Sequence, residues 1–370
     1  MERFDFSRLL YDEANNRESL LRGLDSLVGT GPYGVTIIPY ASGQRPTDCF
    51  RAPHGNRRRF ALIRSKYGVH LFKLVFVPRR KAPREPPVQG NFFVYEHPQF
   101  ENIFVVLTVE ESAFVQRALM PFVEQNYPRV YLPLISQERL SSLLHGFKMR
   151  YGYSDLSVVR ASLRSRFMGE GQRREVIIPS VSWLNLGLEG AFRYAQEQDG
   201  WFSSLTFHAL KGDRLCADVT IHRSGLIRSY VEFSNVFESL VLPVCKELWG
   251  NLKLFEGRSR RETESLQVRP LTVNFGTDLF VNAEENAKFI EAIRLLDKAS
   301  ASVLHSNPYV HLSLIDYIDG STFDLWVLNP RELVIVPQLK GTVQAIRRLV
   351  SHIFDNYAEG NVVDFQGISR

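Results

Sequence analysis

Apolar residues in this 370-residue chain come in short runs that polar, glycine or proline residues interrupt. Short runs rich in valine, isoleucine and aromatic residues are typical of β-strands. In the first third of the chain these runs are Val35–Ile38, Arg59–Ile63, Val69–Val77, Phe92–Tyr95 and Ile103–Thr108. Segments 14–28 and 137–151 instead place leucines on one face at helical spacing. We therefore predict an α+β protein with two domains of mixed, largely antiparallel sheets flanked by helices.

The apolar runs, the first six residues and the cysteines together indicate the cellular location. No run approaches the roughly 18 uninterrupted apolar residues that a membrane helix needs. The first six residues, Met-Glu-Arg-Phe-Asp-Phe, carry acids where a secretory signal would be basic and then apolar. Cys49, Cys216 and Cys245 form no CxxC pair, which indicates neither a disulfide framework nor a zinc site. We expect a cytoplasmic protein with no membrane partner.

One polar, glycine-containing segment, 168–175, is the best candidate for a domain boundary. It predicts an N-terminal α+β domain over 1–168 and a C-terminal α+β domain over 175–370. Within the second domain, residues 282–365 predict the order α-β-β-β-α-β. Asn282 can cap the first helix of this module, and the second helix is expected over 343–357.

Arginine clusters accompany a net charge of +5 and a sequence pI near 9.0. Because the planar guanidinium matches phosphate oxygens, such clusters are compatible with binding the backbone of DNA or RNA. A solvated surface that is merely rich in arginine is an equal interpretation at this modest charge. The candidate nucleic-acid-binding residues are Arg57, Arg58 and Arg59, then Arg79, Arg80 and Lys81, and finally Arg258, Arg260 and Arg261.

The C-terminal module places an acid, an amide and a lysine at useful spacings. If residues 323–328 and 333–338 form a tight hairpin, Asp324 lies opposite Val336 and Gln338 is its diagonal neighbour on the same face. Lys340 shares that face if the strand continues. Hard oxygen ligands beside a lysine are what metal-assisted hydrolysis of a phosphodiester requires.

This arrangement resembles the core of the PD-(D/E)xK nuclease superfamily, in particular the restriction endonucleases that act on modified DNA and carry glutamine instead of the usual acid. The resemblance is confined to residues 282–365. It implies catalytic roles for Asp324, Gln338 and Lys340, with Asp324 as the ligand of Mg²⁺. Glutamine in place of the acid and Pro337 beside it depart from the common pattern. The implied function is a nucleic-acid-interacting component of bacterial defence or DNA processing, either a Mg²⁺-dependent nuclease or an inactivated, nuclease-like scaffold.

A second hypothesis needs no catalysis. The helix predicted over 343–357 carries a regular apolar stripe. Such a stripe would suit a protein-interaction or assembly subunit that docks on a partner protein or on a second copy of itself. The arginine clusters would then face the partner or be solvated.

Overall fold

The α+β class predicted from the sequence is confirmed by a computed structural model. It describes residues 14, 16–30, 34–50, 57–78, 86–126, 129–165, 186–198, 200–263 and 267–366. The helices of this part are α1 (Arg17–Thr30), α2 (Pro46–Cys49), α3 (Ser112–Phe114), α4 (Met120–Gln125), α5 (Gln137–Tyr151), α6 (Leu188–Glu197), α7 (Phe233–Val236), α8 (Leu242–Phe255), α9 (Arg260–Thr263), α10 (Ala283–Arg294) and α11 (Val343–Asn356). Among the described helices, none is both long and apolar enough to cross a membrane.

Two sheets contain all the strands of the described part. The strands are β1 (Val35–Ala41), β2 (Arg58–Lys66), β3 (Val69–Phe76), β4 (Val88–Glu96), β5 (Ile103–Thr108), β6 (Asp155–Ser165), β7 (Leu186–Gly187), β8 (Gly200–Lys211), β9 (Arg214–His222), β10 (Ile227–Ser229), β11 (Leu271–Phe275), β12 (Ala299–His305), β13 (His311–Asp316), β14 (Ser321–Asn329), β15 (Glu332–Pro337) and β16 (Gly360–Asp364). The first sheet has the order β2-β3-β4-β5-β1-β10-β9-β8-β6-β7, and the second has the order β12-β13-β14-β15-β11-β16.

The first sheet changes the predicted domain boundary. Residues 168–175 lie outside the described part, but strands from both sides of them belong to one sheet. Antiparallel pairing joins the two sides at β1 and β10, with Val35 opposite Ser229, and at β6 and β7, with Ser157 opposite Gly187. The division moves to Trp249 and Gly250: the first compact unit includes Ile177–Trp249, and the second includes Gly250–Arg370. Long-range pairing of this kind leaves no mark on local composition.

The second sheet has one strand more than predicted. Four strands, not three, lie between α10 and α11, because β12 precedes the three that the sequence indicated. The residues of β12 begin Ala-Ser-Ala-Ser, which are small and lack the β-branched or aromatic side chains of a typical strand. As an edge strand, β12 pairs only with β13. Its residues are half-buried or exposed, so burial imposes little pattern on its sequence.

Helices α10 and α11 cover one face of the second sheet. Tyr357, at the end of α11, meets Phe275 of β11 at a ring-centroid distance of 6.2 Å and Phe289 of α10 at 5.1 Å. His352 Nε2 and the carbonyl oxygen of Ala292 lie 2.6 Å apart and join the two helices. Because side chains alternate along a strand, Phe323 and Leu325 are buried beneath these helices and Asp324 lies on the opposite side. We call that opposite side the polar face.

Two prolines fall inside long helical segments. The sequence predicts a kink at Pro121, and the structure accommodates this proline with a π-helical turn, Val115–Leu119, just before it. Pro243 follows a second π-helical turn, Phe237–Val241, at the same spacing. A proline has no N–H and cannot close an α-helical hydrogen bond, so a wider turn restores the pairing of the neighbouring residues.

Candidate functional site

The β14–β15 hairpin brings the predicted acid and amide together. Asp324 lies opposite Val336, as predicted. Gln338 Nε2 donates a hydrogen bond of 2.7 Å to Asp324 Oδ2, and both side chains are half-buried. The two residues therefore share the polar face. The hairpin is local in sequence, which is why strand alternation alone was enough to predict this contact.

Lys340 follows a different course. Strand β15 ends at Pro337, so the regular strand on which its predicted face depended stops before Gln338. Thr322 is bonded twice beyond that point: its carbonyl accepts from Gln338 N at 2.9 Å, and its N–H donates to Lys340 O at 2.8 Å. Lys340 Nζ donates to the backbone carbonyl of Asp319. The lysine thus holds the turn before β14.

That turn, Asp319-Gly320-Ser321, has a structural role. The Asp319 carboxylate accepts from Ser321 N at 2.9 Å and from the Thr342 hydroxyl. Thr342 is also the N-cap of α11, where its Oγ1 accepts from Ala345 N at 3.2 Å. Gly320 has φ of +75°, a conformation that favours glycine. The acid nearest to Asp324 in sequence is therefore committed to joining the turn to the helix.

The donor set does not fit the Mg²⁺ site that the resemblance implies. Asp324 supplies one carboxylate, and one of its oxygens already accepts from the Gln338 amide. Within the described ranges, no three or more histidine, cysteine, aspartate or glutamate side chains are grouped to hold a metal ion. Hard divalent cations take several oxygen ligands, and a neutral amide is a poorer one than a carboxylate.

The first arginine cluster is only partly available for binding. Arg57 and Arg59 are exposed. Arg58 Nε donates to the carbonyl oxygen of Ala118 at 3.2 Å, and its guanidinium lies 4.9 Å from the centre of the Phe76 ring. Burial, together with the charge of Arg57, lowers the pKa of Arg58. Arg58 thus packs against its own unit. The second cluster, Arg79, Arg80 and Lys81, lies outside the described residues.

The third cluster separates into a buried and an exposed part. The Arg258 side chain is 2% exposed; its Nε donates to Leu254 O at 2.5 Å, and its Nη1 lies 2.5 Å from Asp364 Oδ1. It is therefore structural, which corrects its predicted role in nucleic-acid binding. Arg260 and Arg261 are exposed. Their backbone N–H groups donate to the carbonyl oxygens of Gln338 and Leu339, at 3.2 and 3.1 Å.

This contact was beyond sequence reasoning. It joins two segments that are almost 80 residues apart, and it places two exposed arginines beside the Gln338–Lys340 segment. Arg260, Arg261 and Lys340 are hereafter the basic cluster. Neither periodicity nor spacing carries a signal for such a contact.

The helix proposed as a docking element has no apolar stripe to offer. The stripe of α11 is buried within the chain. Its buried residues are Val343, Ala345, Ile346, Leu349, Val350, Ile353 and Phe354. The predicted docking through this helix is thus corrected: its amphipathic pattern reports packing on its own sheet.

A hydrogen-bonded serine, histidine and glutamate also escaped sequence reasoning. Ser65 Oγ lies 2.9 Å from His70 Nδ1, and His70 Nε2 lies 2.9 Å from Glu96 Oε1. The three residues belong to the adjacent strands β2, β3 and β4. Because pairing of the strands brings them together, they form no motif that can be recognised in the sequence. Ser65 and His70 are cross-strand partners. We interpret the array as a fastening of the edge strand β2 to the sheet.

Trp326 and His311 are two further residues that the sequence did not single out. They lie opposite each other on the polar face, and Trp326 is two residues beyond Asp324 on β14. Trp326 is 37% exposed, so part of its indole ring is open to solvent. Trp326 lies between Leu325 and Val327 in an apolar run, a pattern that does not distinguish it from a core residue.

Comparisons with known proteins supply no family. The sequence matches no protein-family model, and no curated protein matches it. The case for function therefore depends on the geometry of the C-terminal unit.

Proposed function

We propose that this protein binds the sugar-phosphate backbone of a nucleic acid at its C-terminal unit, through the basic cluster. The observation that supports the proposal is the position of exposed Arg260 and Arg261 beside the Gln338–Lys340 segment. An exposed guanidinium group can donate two parallel hydrogen bonds to the oxygens of one phosphate, and this binding releases counterions from the strand.

Of the two forms that the nuclease resemblance allows, the donor set favours a scaffold that binds without cleaving. Asp324 is paired with a neutral amide, and Lys340 is engaged by the turn. Both groups would have to leave these partners to act on a phosphodiester. The sequence of the hairpin is thus compatible with nuclease-like ancestry and with binding alone.

The test is fluorescence anisotropy of a labelled strand titrated with the full chain at salt concentrations between about 50 and 200 mM. Affinity should fall steeply with salt, and replacing Arg260 and Arg261 together with alanine should reduce the salt slope by about one for each lost phosphate contact. Arg214→Ala, at an exposed arginine of the first unit, is the matched control.

Two outcomes decide the proposal. Absent binding at low salt, or binding that the double variant leaves unchanged, would refute it. Incubation of the same strand with Mg²⁺ then separates the two forms: cleavage that both Asp324→Ala and Lys340→Ala abolish would restore the catalytic form.

A further inference from the structure

The polar face of the second sheet carries a pocket of about 1060 Å³. Its principal side chains come from five strands, β11, β13, β14, β15 and β16, and from the residues just before β13. They are Asn274, Tyr309, His311, Trp326, Glu332 and Asp364. The volume is at the upper end of the range typical of small-molecule sites.

Strand register places this pocket on the same face as Asp324. Trp326 lies opposite His311 on one side and Val334 on the other. Val334 lies opposite Thr272, whose neighbour on the same face is Asn274. Along β14, Trp326 is about 13 Å from Thr322, beside which the Gln338–Lys340 segment lies. One extended ligand can therefore reach both the pocket and the basic cluster.

The pocket has an aromatic wall. The His311 and Trp326 rings are perpendicular, with an interplanar angle of 89° and centroids 5.7 Å apart. Tyr309, at the rim, is 64% exposed. Because the histidine meets the tryptophan in an edge-to-face arrangement, it does not stack on the indole. A planar ligand can stack on that indole.

Two polar atoms in this pocket have no hydrogen-bond partner among the residues that the structure describes. They are His311 Nε2 and Asn274 Oδ1, and both atoms are buried. Buried polar atoms are nearly always hydrogen-bonded, so two in one pocket require an explanation. An amide oxygen accepts a hydrogen bond, and an imidazole nitrogen can donate one. His311 lies opposite Trp326, so a ligand stacked on the indole that carries a hydrogen-bonding group on its edge would satisfy the imidazole nitrogen. Asn274 lies three strands from His311 and would meet a different part of the ligand.

Charge narrows the ligand class. Among the described residues, no lysine or arginine lines the pocket, whereas Glu332 does; the Asp364 carboxylate, also part of the lining, is paired with Arg258. A phosphate or carboxylate group in the pocket would meet the Glu332 carboxylate with no cation in the lining to compensate it. The pocket is therefore suited to an uncharged, planar heterocycle that carries its hydrogen-bonding groups on its edge. A nucleobase has this chemistry.

We propose that this pocket binds an unpaired nucleobase, which stacks on Trp326 and is read at its edge by His311. The inference deepens the proposed function and rests on it where the base belongs to a strand held by the basic cluster. A free nucleoside offers the same ring and edge without the strand.

The experiment compares these two sources in the full chain. A labelled single strand is titrated by anisotropy against wild type, Trp326→Ala and Tyr317→Ala, where Tyr317 is an exposed aromatic residue outside the pocket. A strand without bases, made only of abasic sites, is titrated in parallel. Uncharged adenosine and cytidine are titrated while tryptophan fluorescence is recorded, with Trp326→Phe to identify the reporter.

Trp326→Ala should weaken strand binding by about 5- to 150-fold, the range expected for loss of one stacked base. Tyr317→Ala should leave it unchanged, and the abasic strand should bind wild type and Trp326→Ala alike. Strand binding that depends on the basic cluster but ignores both Trp326 and the bases would overturn the pocket while the proposed function stands.

If no strand binds, the proposed function fails and the nucleosides decide the pocket. Quenching by adenosine or cytidine that disappears in Trp326→Phe supports the pocket with a free nucleoside as ligand. No quenching of Trp326 in that case overturns the pocket as well.

Discussion

Two regions of this protein follow the same path with different packing. In the first, β1 is followed by α2, the meander β2-β3-β4-β5 and the helical segment α3–α4; in the second, β11 is followed by α10, the meander β12-β13-β14-β15 and α11. The last strand of each meander pairs with the strand that precedes the meander, β5 with β1 and β15 with β11. After the last helix of each region, the backbone pairs with the region's first strand again. In the second region β16 pairs with β11, and in the first a single bridge joins Tyr131 to Ala41 of β1.

The difference lies in the second face of each sheet. Strands β5 and β15 are both buried along almost their whole length, so the contrast is between the corresponding strands β4 and β14. In the first region, the consecutive residues 92–95 of β4 are all buried, so both faces are covered. In the second, β14 alternates between buried and more exposed residues. Strands covered on both sides read as continuous apolar runs, and strands covered on one side alternate. The same path can therefore form a strand that is buried on both sides or one that presents a polar face, depending on what covers its second face.

The largest expected effect comes from truncating an aromatic side chain on the second face of each sheet, in the corresponding strands β4 and β14. Phe93 of β4 is 1% exposed, and its side chain lies opposite the cluster that contains Phe92 and Val94. Phe93→Ala should lower the free energy of unfolding by about 3–5 kcal/mol, because it leaves a cavity. Trp326→Ala, in β14, should lower it by about 1 kcal/mol or less. Urea denaturation followed by circular dichroism measures both.

Amide hydrogen exchange is the check on that pair of variants. Phe93→Ala should accelerate exchange in β3 to β5 and leave β13 to β15 unaffected. Equal losses of stability in the two variants would mean that the polar face is as well covered as the first sheet, and the contrast would be lost.

Burial in the first region also predicts a dependence on pH. His97, just after β4, has a pKa lowered from 6.5 to about 4 by burial, with a smaller effect from Arg17. Its Nδ1 accepts from the N–H groups of Gln99 and Phe100, both at 3.2 Å, which requires that nitrogen to be unprotonated. Between about pH 6.5 and 4 the unfolded chain binds a proton that the folded chain does not.

The stabilisation from neutral His97 is thus complete above about pH 6.5 and is lost as the pH falls towards 4, by up to about 3 kcal/mol. Urea midpoints measured across this range should decline in wild type and decline less in His97→Gln. His145→Gln, at an exposed histidine, is the control and should keep the wild-type slope. A His97→Gln profile that parallels wild type would contradict the assignment.

A smaller effect is expected at the strand that completes the second sheet. Arg258 contacts Asp364 of β16, a carboxylate that is 60% exposed, so truncating the arginine does not strand a buried charge. Arg258→Ala should cost roughly 2 kcal/mol through lost hydrogen bonds and packing. Arg260→Ala, at its exposed neighbour, should be neutral in stability and weaken strand binding. The reverse pattern would show that the two arginines have been assigned the wrong roles.

Most elements of both regions could be predicted from local pattern. The strand Ile103–Thr108 was predicted with its observed bounds, and α5 was predicted over the residues that form it. Ser136 caps that helix and Gly152 ends it with φ of +63°, which are local signals. Strand β12 was missed because its small residues carry no such signal, and the domain boundary was misplaced because β1 and β10 pair across the chain.

For the candidate site the division is similar. The approach of Gln338 to Asp324 was predictable, because one tight turn and the alternation of side chains determine it. The burial of Arg258 and the exposure of Arg260 were not, although the two residues are almost adjacent. Which arginine turns inward depends on Leu254 and Asp364, and the sequence does not reveal that these two come together.

By itself, the sequence determined the α+β class, most strands and helices, and the hairpin that joins Asp324 to Gln338. These follow from periodicity, capping and alternation, which act over a few residues. Only the tertiary structure decided that one sheet spans the predicted boundary, that Arg260 lies beside Gln338, and that Trp326 and His311 line a pocket. Those relations join distant segments, and they arise from burial of whole faces, which no short stretch of sequence encodes.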